Sequence, residues 1–100
     1  MEDKNALAKA ESYSSMMHMS KAAIYEQLTS SYGEDFPAES AQYAVDHLVA
    51  DYKANALEKA KDYQTSMNMS RSAIYEQLTS SYGEKFTAEE AQYAVDHLPQ

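Results

Sequence analysis

The 100-residue chain has no cysteine, so a disulfide framework, thiol chemistry and a Cys-based metal site are all excluded. Glycine occurs only at Gly33 and Gly83, too sparsely for a loop that cradles phosphate. No apolar run approaches the roughly 18 residues of a membrane span, and Met1-Glu2-Asp3-Lys4 does not open like a signal peptide. Bases are scarce too: 8 Lys and Arg stand against 16 Asp and Glu, a formal net charge of −8. Residues 1–50 carry −5 of it and residues 51–100 carry −3. Such a balance repels nucleic acid and anionic membrane and favours a cationic partner. The plain alternative is an acidic surface that only keeps a small protein soluble.

A further absence shapes the expected architecture. Ala38 to about Gln64 contains neither glycine nor proline. Its apolar residues fall at Ala41, Ala44, Val45, Leu48, Tyr52, Ala56, Ala60 and Tyr63, in steps of three or four. This predicts one continuous helix, about 40 Å long at 1.5 Å per residue.

What is abundant is self-similarity. Pairing Asn5–Leu48 with Asn55–Leu98 aligns 44 positions, of which 12 differ and 32 are identical. Ala23–Glu34 recurs unbroken as Ala73–Glu84, and Ala41–Leu48 as Ala91–Leu98. In the first copy, a helix from about Asp3 to Met16 would turn Ala6, Leu7, Ala10, Tyr13 and Met17 inward. Ser20 suits the N-cap of a second helix, about Lys21 to Tyr32, with Ile24 and Leu28 inward. Gly33 stands where a helix C-terminus favours a residue tolerant of positive φ. Phe36 reads as a core plug in the turn that follows. A third helix carries Ala41, Ala44, Val45 and Leu48. In the second copy it opens on Thr87-Ala88-Glu89-Glu90, a capping-box pattern, where the first copy has Pro37 and Ser40.

The expected fold is all-α: two tandem three-helix, helix-turn-helix-like repeats, residues 1–50 and 51–100, joined through the long helix 38–64. The two stripes on that helix are centred about a quarter turn apart, so the repeats would be rotated about one rod and the molecule elongated. A core of about 45 residues is marginal alone, and a shared helix would support both.

Candidate chemistry is thin. The second helix of a DNA-reading helix-turn-helix needs basic and amide side chains. Here it begins Ala38-Glu39-Ser40-Ala41-Gln42-Tyr43 and Ala88-Glu89-Glu90-Ala91-Gln92-Tyr93, with carboxylates where phosphates would lie. DNA binding is therefore disfavoured. Met16-Met17-His18-Met19 resembles a soft-metal cluster, but the second copy reads Ser66-Met67-Asn68-Met69, and methionines at a helix end more often fill core gaps. His47 and His97 suit capping of carbonyls at the end of the third helix. No paired acids and no Glu/His/Ser set stand at a catalytic spacing. The reading is non-enzymatic, with no cofactor and no metal.

The acids offer more. Glu34, Asp35 and Glu39 gather at the turn and third-helix start of the first copy, and Glu84, Glu89 and Glu90 in the second. Acids at a helix N-terminus offset the dipole, yet three in six residues exceed what capping requires. They are the candidate partner-binding patches, suited to a basic protein segment.

Ala6-Leu7, Ala10 and Tyr13, then Met19-Ser20, Gln27-Leu28, Gly33 and Phe36, then the doubled Gln-Tyr-Ala-Val-Asp-His-Leu block carry a family likeness. Nearly the whole chain resembles the Ltp family of host-cell surface-exposed lipoproteins, in particular those that serve superinfection exclusion in temperate streptococcal phages. The resemblance implies two helix-turn-helix-like repeats, tethering by lipid to the outer face of the host membrane, and a block on DNA injection by incoming phage. The implied target is that phage's tape measure protein. No signal peptide, lipobox or cysteine precedes the repeats, so this sequence is expected to be the soluble part, membrane-bound only through an anchor it does not contain, and monomeric. A host surface module for envelope structure or adhesion is the rival reading.

Overall fold

The computed structural model describes residues 2–99. Six helices follow one another: α1 (Glu2–Met17), α2 (Lys21–Thr29), α3 (Ala38–His47), α4 (Tyr52–Ser66), α5 (Arg71–Thr79) and α6 (Ala88–Asp96). The fold is all-α, with no strand among the described residues, and measures 46 × 24 × 21 Å.

The continuous helix expected over 38–64 is not formed. α3 ends at His47, residues 48–51 are non-helical, and α4 starts afresh at Tyr52. Leu48 leaves helical geometry (φ −70°, ψ 126°) and packs its side chain on the first hydrophobic cluster. Asp51 then takes the N-cap of α4, its carboxylate accepting from the Ala54 amide at 3.0 Å. Freedom from glycine and proline permits a helix to continue but does not require it. A carboxylate that satisfies an otherwise orphaned amide provides a competing start. No rigid rod connects the halves.

Helices α1–α3 enclose one hydrophobic cluster and α4–α6 a second. In the first, Ala6 and Ala10 of α1 and Ala41 and Ala44 of α3 are fully buried; with no side chain beyond Cβ, they let these helices pack closely. Ile24 and Leu28 of α2 fill the remaining volume. Ala56, Ala60, Ala91, Ala94, Ile74 and Leu78 repeat the arrangement in the second half. Phe86 is buried there at 3 % exposure, while Phe36 is half-buried against its own cluster. Ser20 caps α2 as expected, accepting from Ala23 N at 3.1 Å, and Ser70 caps α5 in the same way. The Thr87–Glu90 capping box also forms: the Thr87 amide donates to Glu90 Oε1 (2.9 Å) and the Glu90 amide to Thr87 Oγ1 (3.1 Å). Pro37 occupies the matching cap of α3 with no side-chain bond.

Three local expectations fail. Met17 does not face inward: it and Met16 are exposed, and Met19 alone of the Met16–Met19 group packs on the core. Helix α2 ends at Thr29 rather than near Tyr32, because Ser30 and the next four residues form a turn. Gly33 does not adopt positive φ; the left-handed residues are Asp35 (55°) and Lys85 (62°) in the turns and, at the ends of α1 and α4, His18 (53°) and Asn68 (54°). Glycine is needed at 33 for space, since a Cβ there would lie 2.4 Å from Gln27 O.

Candidate functional site

The turn between α2 and α3 is built from backbone bonds that fold it onto the end of α2. The Gly33 and Asp35 amides both donate to Ser30 O (3.0 Å each), Glu34 N to Gln27 O (3.1 Å) and Phe36 N to Leu28 O (2.7 Å). Residues 80–86 reproduce these bonds within 0.2 Å. Both turns are thus stiff platforms, consistent with their shared Ala-to-Glu block.

The six acidic residues divide into two groups. Glu34 accepts a hydrogen bond from the Tyr13 hydroxyl and lies 3.7 Å from Lys9 Nζ, so it ties the turn to α1. Glu84 is held likewise by Tyr63 and by Lys59 at 3.8 Å. Glu90 is engaged in its capping box. Asp35, Glu39 and Glu89 are exposed and free of these ties. Burial, then donation to Glu34, raises the Tyr13 pKa; the same two causes push Tyr63 up to about 12. Each phenol therefore stays protonated and donating across the neutral range.

The turns differ in one residue that changes their charge. Asp35 is matched by Lys85, which forms an ion pair with Glu26 of the first half. The second turn also receives a hydrogen bond from Ser20 Oγ to Glu84 O. Asn55 Nδ2 completes this seam by donating to Ser14 Oγ and to Met19 O, both at 3.0 Å, and Tyr52 of α4 packs on the first cluster. The seam was hidden from sequence reasoning, because its bonds join residues 36 to 64 positions apart. The only signal was substitution at matched positions: Ser14 against Gln64 and Asp35 against Lys85.

His47 and His97 cap as expected, each Nδ1 donating to a tyrosine carbonyl one turn back (Tyr43 O 2.8 Å, Tyr93 O 2.7 Å) and each ring stacking on that tyrosine at 4.0 Å. Between the halves lies a groove of about 390 Å³ with Tyr25 and Val45 on its apolar side and Lys21, Lys85 and Glu90 at its edge.

Comparison with known proteins assigns this architecture. The family described as "host cell surface-exposed lipoprotein" (Lipoprotein_Ltp) matches twice, over residues 1–48 and 51–98. The chain belongs to the Ltp family. Its members are host cell surface-exposed lipoproteins, in keeping with a location at the cell surface. Among solved structures, it is similar to Ltp, a superinfection exclusion protein from the Streptococcus thermophilus temperate phage TP-J34. Identity is 44 %, the TM-score is 0.88, and the match covers 98 % of this chain and 96 % of that one. No curated protein matches the chain. No helix among the described residues is long and apolar enough to cross a membrane.

Proposed function

We propose that this Ltp-family chain serves superinfection exclusion at the host cell surface. It binds a basic segment of the incoming phage's tape measure protein and so blocks DNA injection, without enzymatic chemistry. The observation that carries this reading is the end-to-end similarity to the phage TP-J34 exclusion protein. The net charge of −8 and the exposed Asp35, Glu39 and Glu89 support a cationic protein target and oppose nucleic acid.

Residues 1–50 and 51–100 act as two binding units of a monomer, set side by side by the seam around Asn55. The membrane is reached through a lipid anchor, as the family's description as lipoproteins suggests. The mechanism is trapping: an acidic surface draws in the basic segment as it emerges, and the stiff turns hold it.

The test is to display the chain on host cells behind a lipoprotein signal and measure plaque formation together with phage DNA release. Fewer plaques, with DNA retained in adsorbed particles, are expected. Normal injection under good surface display would defeat the reading.

A further inference from the structure

The two turns share a feature that neither packing nor capping explains. Tyr32 and Tyr82 are each 100 % exposed, each at the tip of its turn. A free loop would let such a ring fold back onto the protein. These turns do not: the Tyr32 amide donates to Ser30 Oγ at 3.1 Å and the Tyr82 amide to Ser80 Oγ at 3.0 Å, while Glu34 N and Phe36 N bond back to Gln27 O and Leu28 O of α2, and Glu84 N and Phe86 N to Gln77 O and Leu78 O of α5. The rings therefore stand out in water on stiff supports. An aromatic side chain with two rotatable bonds on a fixed backbone loses little freedom on binding, which makes it an effective contact group.

Charge decides what such a ring would meet. Tyr32 is followed by Glu34 and Asp35, with Glu39 exposed in the first turn of α3. The face of a tyrosine ring attracts cations, and neighbouring carboxylates strengthen that field. The same carboxylates repel an anionic bilayer surface, so a membrane contact is not favoured. At Tyr82 the matching neighbour is Lys85, already paired with Glu26, and the local field for a cation is weaker.

We infer that Tyr32 is an aromatic anchor for an arginine- or lysine-bearing peptide segment, its ring stacking on the cation while Asp35 and Glu39 supply the charge, and that Tyr82 is a weaker second contact. This rests on the exclusion reading for its biological partner but not for its chemistry. The decisive experiment titrates the isotope-labelled chain with a decapeptide of alternating arginine and alanine at low salt, followed by NMR. Shifts are expected in residues 30–36 ahead of residues 80–86. Tyr32→Ala should weaken binding about two- to fivefold and Tyr82→Ala less than twofold, with Tyr32→Phe close to wild type. Both rings are free of packing, so the melting temperature of each variant should match wild type. Wild-type affinity in Tyr32→Ala overturns the inference. So does a larger loss in Tyr82→Ala, or a Tyr32-dependent partition onto phosphatidylcholine vesicles in place of peptide binding. In the plaque assay, wild-type exclusion left undiminished by Tyr32→Ala overturns the tyrosine's role alone. Wild-type failure to exclude, with peptide binding still Tyr32-dependent, overturns only the exclusion reading.

Discussion

The turn at Ser30–Phe36 and the turn at Ser80–Phe86 share their backbone bonds, their glycine, their exposed tyrosine and their tyrosine-to-glutamate tie, yet they face different surroundings. The second sits at the seam, bonded by Ser20 and Lys85 to the first half. The first lies away from these bonds and carries Asp35 where the other has Lys85. Local sequence sets the turn's shape, while its place in the tandem sets whether it meets the other half, where Glu84 O accepts from Ser20 and Lys85 pairs with Glu26. Two near-identical copies therefore present unequal surfaces.

That comparison predicts where the copies should match and where they should part. The largest effects should be symmetric. Ile24 and Ile74 are fully buried in corresponding positions, so Ile24→Ala and Ile74→Ala should each lower the unfolding free energy in urea by about 2–5 kcal/mol. A strongly unequal pair would mean that the halves do not share one packing scheme.

Next, Gly33→Ala and Gly83→Ala both drive a Cβ to 2.4 Å from a backbone carbonyl, of Gln27 and Gln77 respectively. Each should cost about 1–3 kcal/mol, as overpacking does, and again by similar amounts. No loss in either variant would show that the close approach is relaxed in solution.

The seam should break the symmetry. Asn55 is buried and donates across it, whereas its counterpart Asn5 is exposed. Asn55→Ala leaves buried acceptors unpaired and should cost about 1–3 kcal/mol, while Asn5→Ala should stay within about 0.5 kcal/mol. Equal effects would show that the Asn55 bonds do not hold the two halves together.

The smallest difference is in alkali. A tyrosine whose folded pKa is raised contributes stability that is fully present below its unfolded value, near pH 10, and lost as pH climbs through the folded value. Tyr63 is pushed to about 12, so melting temperature should fall between pH 10 and 12. Tyr63→Phe should flatten that fall more than Tyr13→Phe. The reverse ranking would contradict the stronger effect of burial on Tyr63.

Much of the fold could be read from residues. The alanine stripes at 6 and 10 and at 41 and 44, the Ser20 cap and the Thr87–Glu90 box are local patterns with local causes, and the structure shows each. The break at 48–51 is masked in the sequence because periodicity continues across it; the Asp51 cap and the outward Val49, 98 % exposed, mark it. A position after a helix suggests positive φ for Gly33, whereas the space it needs is set by how the turn folds back on Gln27 O. At the candidate site, sequence located the acids but could not sort them. Glu34, Glu84 and Glu90 face partners within the chain, and only contacts distinguish them from Asp35, Glu39 and Glu89.

In the proposed exclusion role, the first turn is the acidic, open surface that stops injection. Its most direct test measures phage DNA release on cells displaying wild type, Asp35→Lys/Glu39→Lys, or Glu89→Lys, at matched surface levels. Wild type should block release, the first-turn variant should lose most of the block, and Glu89→Lys should keep most of it. A block undiminished by charge reversal at Asp35 and Glu39 would contradict the account.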